Sequence, residues 1–214
     1  SRGNSAGNWF MGKPAFMQAG FDAQRQSIVL LKNSKNVLPA EVRKTVYIPR
    51  RFVPASRHFL GFPIPESNDF PINIALAKKY FDVTDDPAKA DWALVCIESP
   101  KSGVGYERSD REKGGNGYLP ISLQYGSYTA VHAREVSIAG GDPMEPFTNR
   151  SYKNKTVTAH NTHDLALIEE TVAEMKEKPV IVYINVSNPM VFAEFEKKVD
   201  GIILGFGVQD QAIL

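Results

Sequence analysis

Trp92-Ala93-Leu94-Val95-Cys96-Ile97 is an unbroken apolar run, set between Asp91 and Glu98. A strand with one wet face alternates apolar and polar residues, so a run of this kind belongs to a strand covered on both faces. Pro179 to Val186 reads the same way, and Thr45 to Ile48, Phe81 to Thr84 and Gly201 to Phe206 are further strand candidates. Between them apolar residues recur at helical spacing. Ile72, Ala75, Leu76 and Tyr80 predict a helix over 71–80, capped by Asn68 or Asp69. Leu165, Ile168, Val172 and Met175 predict one over 161–177 capped by Thr162, and a third is expected over 190–199. A short helix from Phe21 runs into the apolar stretch Ser27 to Leu31, and Pro87 to Ala90 is one helical turn. Residues 49–70, rich in Pro, Phe and Arg without period, read as a long ordered loop. The alternation predicts an α/β fold: a three-layer sandwich with a mostly parallel sheet of about six strands and helices on both faces.

The chain has 214 residues, 43% of them hydrophobic, which suits one large domain. Residues 1–20 read as an interdomain linker or packing segment, with Trp9 and Phe10 arguing for packing, and 21–214 as the α/β domain with a loop insertion at about 98–160. The last residues, Gln209 to Leu214, look like the first turns of a helix that continues, so a truncated C-terminus is expected. Lysine and arginine total 25 against 24 acidic residues, which gives no global electrostatic case for nucleic acid or an anionic membrane. No apolar run approaches the roughly 18 to 20 residues of a membrane span. The single cysteine, Cys96, excludes a disulfide framework within the chain and reads as an inert buried thiol.

In an open α/β sheet ligands bind outside the carboxyl ends of the strands. That selects the loops after Ile97, Val186 and Phe206, of which the first is longest and carries Tyr106, Tyr118, Tyr125 and Tyr128 beside Asp, Glu, Arg and Asn. Aromatic faces meet the C–H faces of sugars while charged groups bind hydroxyls, so the mixture suits a saccharide. Ordinary surfaces carry the same mixture, and composition leaves both readings open.

Ser27-Ile-Val-Leu-Leu-Lys-Asn33 followed by Val37-Leu-Pro39 resembles the entry to the second domain of family 3 glycoside hydrolases of the β-glucosidase type. Lys101-Ser-Gly-Val-Gly-Tyr-Glu-Arg108 resembles that family's Ser-Gly-Glu-Gly-Tyr-Asp-Arg loop, and Asn185 to Pro189 and Gly205 to Gln211 are similar to its later strand ends. The resemblance covers roughly residues 21 to 214. It implies a six-stranded α/β sandwich packed against an N-terminal barrel domain of the same parent chain, with a pocket for a β-linked glycoside or oligosaccharide between them. It further implies retaining hydrolysis, with an aspartate nucleophile on the barrel and an acid/base on the second domain, and an isolated chain that is inactive. Such mechanisms hold the two carboxyl groups about 5 to 5.5 Å apart. Relatives of this kind are often exported, which makes a periplasmic or secreted parent the expectation, although the sequence itself carries no address.

Aligned by its glycines and tyrosine, the loop puts Val104 where the family's acid/base glutamate would stand, and valine transfers no proton. Glu107 is the nearest replacement, with Asp110, Glu112, Glu135, Asp142 and Glu145 as further carboxylates. The candidate sugar-contacting residues are therefore Tyr106, Glu107, Arg108 and Asp110, with Glu107 the candidate acid/base. Alternatively Glu107 and Arg108 shape the pocket without proton transfer, or form a plain surface ion pair. The alternative for the whole chain is a sugar-binding or scaffold domain that lost catalysis.

No cofactor or metal is expected. Gly114-Gly115-Asn116-Gly117 lacks the Lys-Ser/Thr of a phosphate loop. His160, His163 and Asp164 near a helix start suit capping and surface roles better than a metal site. The basic stretch Arg43, Lys44, Arg50, Arg51 and Arg57 is interleaved with Pro, Phe and Ile and suits domain packing.

Overall fold

The computed structural model describes residues 14–40, 44–57 and 60–214. Trp9, Phe10 and Arg43 lie outside the described residues. In chain order the main elements are α1 (Pro14–Ser27), β1 (Val29–Asn33), β2 (Thr45–Tyr47), α2 (Ile74–Ala77), β3 (Asp82–Thr84), β4 (Trp92–Glu98), α3 (Arg108–Glu112), α4 (His163–Met175), β5 (Val180–Asn185), β6 (Gly201–Gly205) and α5 (Asp210–Ile213).

The six strands form one sheet in the order β1-β6-β5-β4-β2-β3. All neighbours run parallel except β1, which pairs antiparallel with β6 along one edge. β4 lies inside the sheet, in register with β5 from Val180 opposite Ala93 to Asn185 opposite Glu98. Its side chains divide between two cores, as the unbroken apolar run requires. Ala93, Val95 and Ile97 face one core with Val180, Val182 and Ile184 of β5 and Ile168 and Met175 of α4. Trp92, Leu94 and Cys96 face the other, with Ile181 and Tyr183 of β5, Val46 of β2 and Ala77 of α2. A fully buried Val, Leu, Ile or Met side chain contributes about 1.5–3 kcal/mol. Burial pushes the Cys96 thiol up to about 12, so it is an un-ionised apolar group at neutral pH.

Several local expectations are corrected. The first helix starts at Pro14 rather than Phe21. The helix expected over 71–80 is regular only from Ile74 to Ala77, and its cap is Asn73, whose side chain accepts the Leu76 N–H at 3.1 Å, not Asn68 or Asp69. Residues 49–70 contain two short antiparallel pairs, Arg51–Val53 with Ser67–Asp69 and Ser56–Arg57 with Pro63–Ile64, so the segment is a hairpin rather than an elementless loop. Thr162 precedes α4 without a side-chain cap bond. No helix forms over 190–199, where only Glu196–Lys198 makes a single tight turn. Distant partners take that backbone instead: the Val191 N–H donates to Leu123 O at 2.9 Å, and the Glu194 carboxylate accepts the N–H groups of Tyr125 and Gly126 at 2.7 and 2.8 Å.

Candidate functional site

The chain steps outward from β2 to β3 and then crosses back over β2 to β4, β5 and β6. The loops leaving β2 and β4 therefore diverge at the carboxyl edge, which is where open sheets of this kind hold ligands. Four residues beyond β2, Arg51 turns into that crevice and its guanidinium grips Asp164, Nε to Oδ1 at 2.6 Å and Nη2 to Oδ2 at 2.9 Å. The Asp164 side chain is 1% exposed and that of Arg51 13%. The Asn161 Nδ2 donates to Asp164 Oδ2 at 2.9 Å and to Ser99 O at 3.1 Å, while its Oδ1 accepts the Lys101 N–H at 2.8 Å. A buried carboxylate is tolerated only when paired and hydrogen-bonded in this way.

Glu98, the last residue of β4, bridges Arg51 at 3.4 Å and Lys101. Burial on its own would raise the Glu98 carboxyl, but the hydrogen bond from Lys101 and the charge of Arg51 outweigh it and hold the group below the usual carboxylate range. For Arg51, burial would lower the value, and the hydrogen bonds and charge of Asp164, then of Glu98, raise it overall. An unfolded glutamate titrates at about 4.3, so the Glu98 contribution is complete above that value and is lost as pH falls through the lower folded value. The expected result is a urea midpoint steady between about pH 7 and 5 that drops below about pH 4, with part of that drop removed in Glu98→Gln.

Beside this network a cavity of about 160 Å³ opens between Arg51, Glu98, Asn185 and Asp210, over an apolar wall that includes Ile72 and Ile213. Asn185 ends β5 and accepts the Gly207 N–H at 2.9 Å. Asp210 at the start of α5 accepts the Asn73 N–H at 2.8 Å. Carboxylate, amide and guanidinium groups over apolar carbon can receive a small hydroxylated ligand. The sequence reading missed Arg51, Glu98, Asp164 and Asn185 as site residues. Applying the carboxyl-edge rule to the loop after Ile48 would have found Arg51.

The insertion after β4 is pinned to the same edge. The His160 N–H donates to Lys101 O at 2.7 Å, and the Tyr125 hydroxyl to Glu98 O at 2.6 Å. Tyr106 and Tyr118 pair across an isolated bridge with ring centroids 5.5 Å apart, edge to face. Gly117 permits that approach, because a Cβ there would lie 2.4 Å from the Tyr106 ring. Glu107 caps α3, its carboxylate accepting the Ser109 N–H at 3.3 Å, and Arg108 reaches Glu112 at 3.1 Å on the exposed face. Asp110 turns the other way, accepting the Gly117 N–H and the Lys155 ammonium, both at 2.7 Å. Burial would raise its carboxyl, but Lys155 and the Gly117 N–H hold it below the ordinary range. The structure thus places Tyr106, Glu107 and Arg108 on the outer surface of the insertion and Asp110 within its framework. Of the other carboxylates, Glu112 pairs with Arg108, Glu135 with Lys153, Glu145 with Arg111, and Asp142 accepts the Tyr118 hydroxyl. Val104 is 85% exposed. His163 stacks on Phe52 at 4.9 Å, and among the described residues no group of three or more His, Cys, Asp or Glu is placed to hold a metal ion.

These features define an α/β domain with a mixed six-stranded sheet, a polar crevice at its switch point and a long tyrosine-bearing insertion at its carboxyl edge. The chain matches no family model and no curated protein. Among solved structures it is similar to an exo-1,3/1,4-beta-glucanase from a Pseudoalteromonas species, at 15% identity over 95% of this chain and 22% of that one with a TM-score of 0.48. It is also similar to a beta-glucosidase from Chaetomella Raphigera, at 18% identity over 94% and 28% with a TM-score of 0.47. Beta-glucosidase 3B from Thermotoga neapolitana gives 15% identity over 92% and 28% with a TM-score of 0.49. The chain spans less than a third of the length of each. The likeness to these structures carries no residue role to this chain. No helix among the described residues is long and apolar enough to cross a membrane.

Proposed function

We propose that the chain, with residues 21–214 as its α/β domain, is part of a retaining β-glycosidase of the family 3 type. Its insertion forms one wall of a sugar site, and a barrel domain of the same parent protein carries the aspartate nucleophile. The observation that carries this reading is the family-like segment Lys101 to Arg108, which leaves the carboxyl end of β4 and presents Tyr106, Glu107 and Arg108 outward, with Tyr106 braced against Tyr118. The Tyr106 ring supplies a face for a sugar, and Glu107 and Arg108 bind its hydroxyls. Asp110 supports the loop through Gly117 and Lys155. The substrate is a β-linked glucoside-like saccharide.

Val104, exposed where the family's acid/base would stand, favours a second reading in which the domain binds sugar without catalysis. Assays of the full-length parent with an aryl β-glucoside and with cellobiose separate the two. Hydrolysis of both supports the first reading; saturable binding without hydrolysis supports the second; neither binding nor hydrolysis sinks both. Tyr106→Ala is expected to raise KM about five- to tenfold through loss of an aromatic contact of about 1 kcal/mol. Glu107→Gln should change turnover of cellobiose by less than about tenfold, in keeping with a shaping role. A loss of about 10²- to 10⁴-fold would instead make Glu107 the proton donor.

A further inference from the structure

A second concavity, of about 480 Å³, lies in the insertion, lined by Arg134, Ser137, Arg150 and Tyr152 beside apolar residues that include Ile138 and Ala139, and by no acidic residue. Its two guanidinium groups are unmatched: among the described residues neither Arg134 nor Arg150 has a carboxylate within 4 Å or a side-chain hydrogen-bond acceptor. The neighbouring charges are engaged elsewhere. Glu135 pairs with Lys153 at 2.7 Å, Glu145 with Arg111, and Asp142, whose charge reaches Arg150, is held by the Tyr118 hydroxyl at 3.1 Å and the Met144 N–H at 3.0 Å. The Arg150 Nε is fully buried with no partner, one of two such side-chain atoms among the described residues. A buried donor left unpaired is costly, and since nothing can reach an atom without accessible surface, the Arg150 donors open to the concavity are its terminal guanidinium nitrogens.

Hydrogen bonds close the loop around Arg150. The Arg150 guanidinium stands 5.9 Å from the Tyr118 ring centroid, and its backbone N–H donates to Gly140 O at 2.9 Å. Asn149 draws the loop closed, its Oδ1 accepting the N–H groups of Ser137 and Ser151 at 2.9 and 3.0 Å and its Nδ2 donating to Glu135 O at 2.7 Å. Two forked donors lining one concavity, that of Arg150 on a hydrogen-bonded loop, match an oxyanion, which accepts paired hydrogen bonds from guanidinium.

We propose that this concavity binds a small ligand through a carboxylate or sulfate group received by Arg150 and Arg134. The volume exceeds that of a bare anion and accommodates a sugar ring bearing the charge. The oxyanion site stands whether or not the glycosidase reading holds, since it uses no residue of the Tyr106 to Asp110 segment.

The test is a titration of the isotope-labelled full chain, followed by backbone amide NMR at constant ionic strength. Sodium sulfate, methyl β-D-glucuronide and the neutral methyl β-D-glucoside are the probes. Saturable shifts at Ser137, Arg150 and Ser151 are expected with the glucuronide and absent with the glucoside. Arg134→Gln, an exposed change that leaves the frame intact, should weaken binding by about tenfold or more, and Arg150→Gln likewise. Glucuronide binding tighter than sulfate identifies an acidic sugar as the ligand class; equal affinities support the oxyanion site with a free small anion as occupant. The proposal is overturned by the absence of saturable shifts with both anions, by equal response to glucoside and glucuronide, or by an Arg134→Gln protein that binds as well as the parent.

Discussion

Arg51→Met is expected to lower the unfolding free energy by about 3–5 kcal/mol. Most of that cost comes from the carboxylate stranded without its counter-charge. Asp164 is 1% exposed and, among the described residues, would keep only the Asn161 amide and the Glu98 N–H around its charge. Breaking one side of a buried pair leaves an uncompensated charge, whereas replacing both sides with apolar groups is often close to neutral. The double variant Arg51→Met/Asp164→Leu should therefore recover a substantial part of the loss. Urea unfolding of the parent and both variants measures this directly. A single variant that loses less than about 1 kcal/mol would show that the pair behaves like an exposed one.

A loss of similar size, about 3–5 kcal/mol, is expected for Phe195→Ala. Phe195 is fully buried, with its ring centroid 6.3 Å from that of Tyr125 and 6.1 Å from that of Phe192. Truncation opens a void under the segment that carries Glu194, the residue that fixes the Tyr125 and Gly126 N–H groups. Amide exchange at Tyr125 and Gly126 should accordingly speed up more than exchange within β4. Uniform acceleration across both would mean that the ring stabilises the domain as a whole without holding the insertion in place.

The central strands were legible in the sequence because β4 and β5 are buried on both faces and carry no polar interruption. The stripe of α4 was legible for the same reason: Ile168 and Met175 are buried, with Leu165 and Val172 packed beside them. The segment 190–199 does not form the expected helix, although Val191, Phe192, Phe195 and Val199 fall near helical spacing. Its conformation is set by Leu123, Tyr125 and Gly126, about 70 residues away, and periodicity within a short window holds no trace of them. The crevice was hidden for a related reason. In the sequence Arg51 sits among basic neighbours and Asp164 at a helix start, yet Arg50 lies over the Phe70 ring at 4.2 Å while Arg51 reaches across 113 positions to Asp164. Tyr106 stands out through the carboxyl-edge rule and the tyrosines of its loop, and Glu107 and Arg108 through a motif resemblance, since exposed loop residues follow no packing period.

That span of 113 positions has a consequence for biosynthesis. At about 5–20 residues per second, Asp164 leaves the ribosome on the order of ten seconds after Arg51. Until then the hairpin that follows β2 lacks its counter-charge, and the β4–β5 ladder forms later still because β5 follows Asp164, so the nascent polypeptide exposes a half-built sheet to chaperones and proteases.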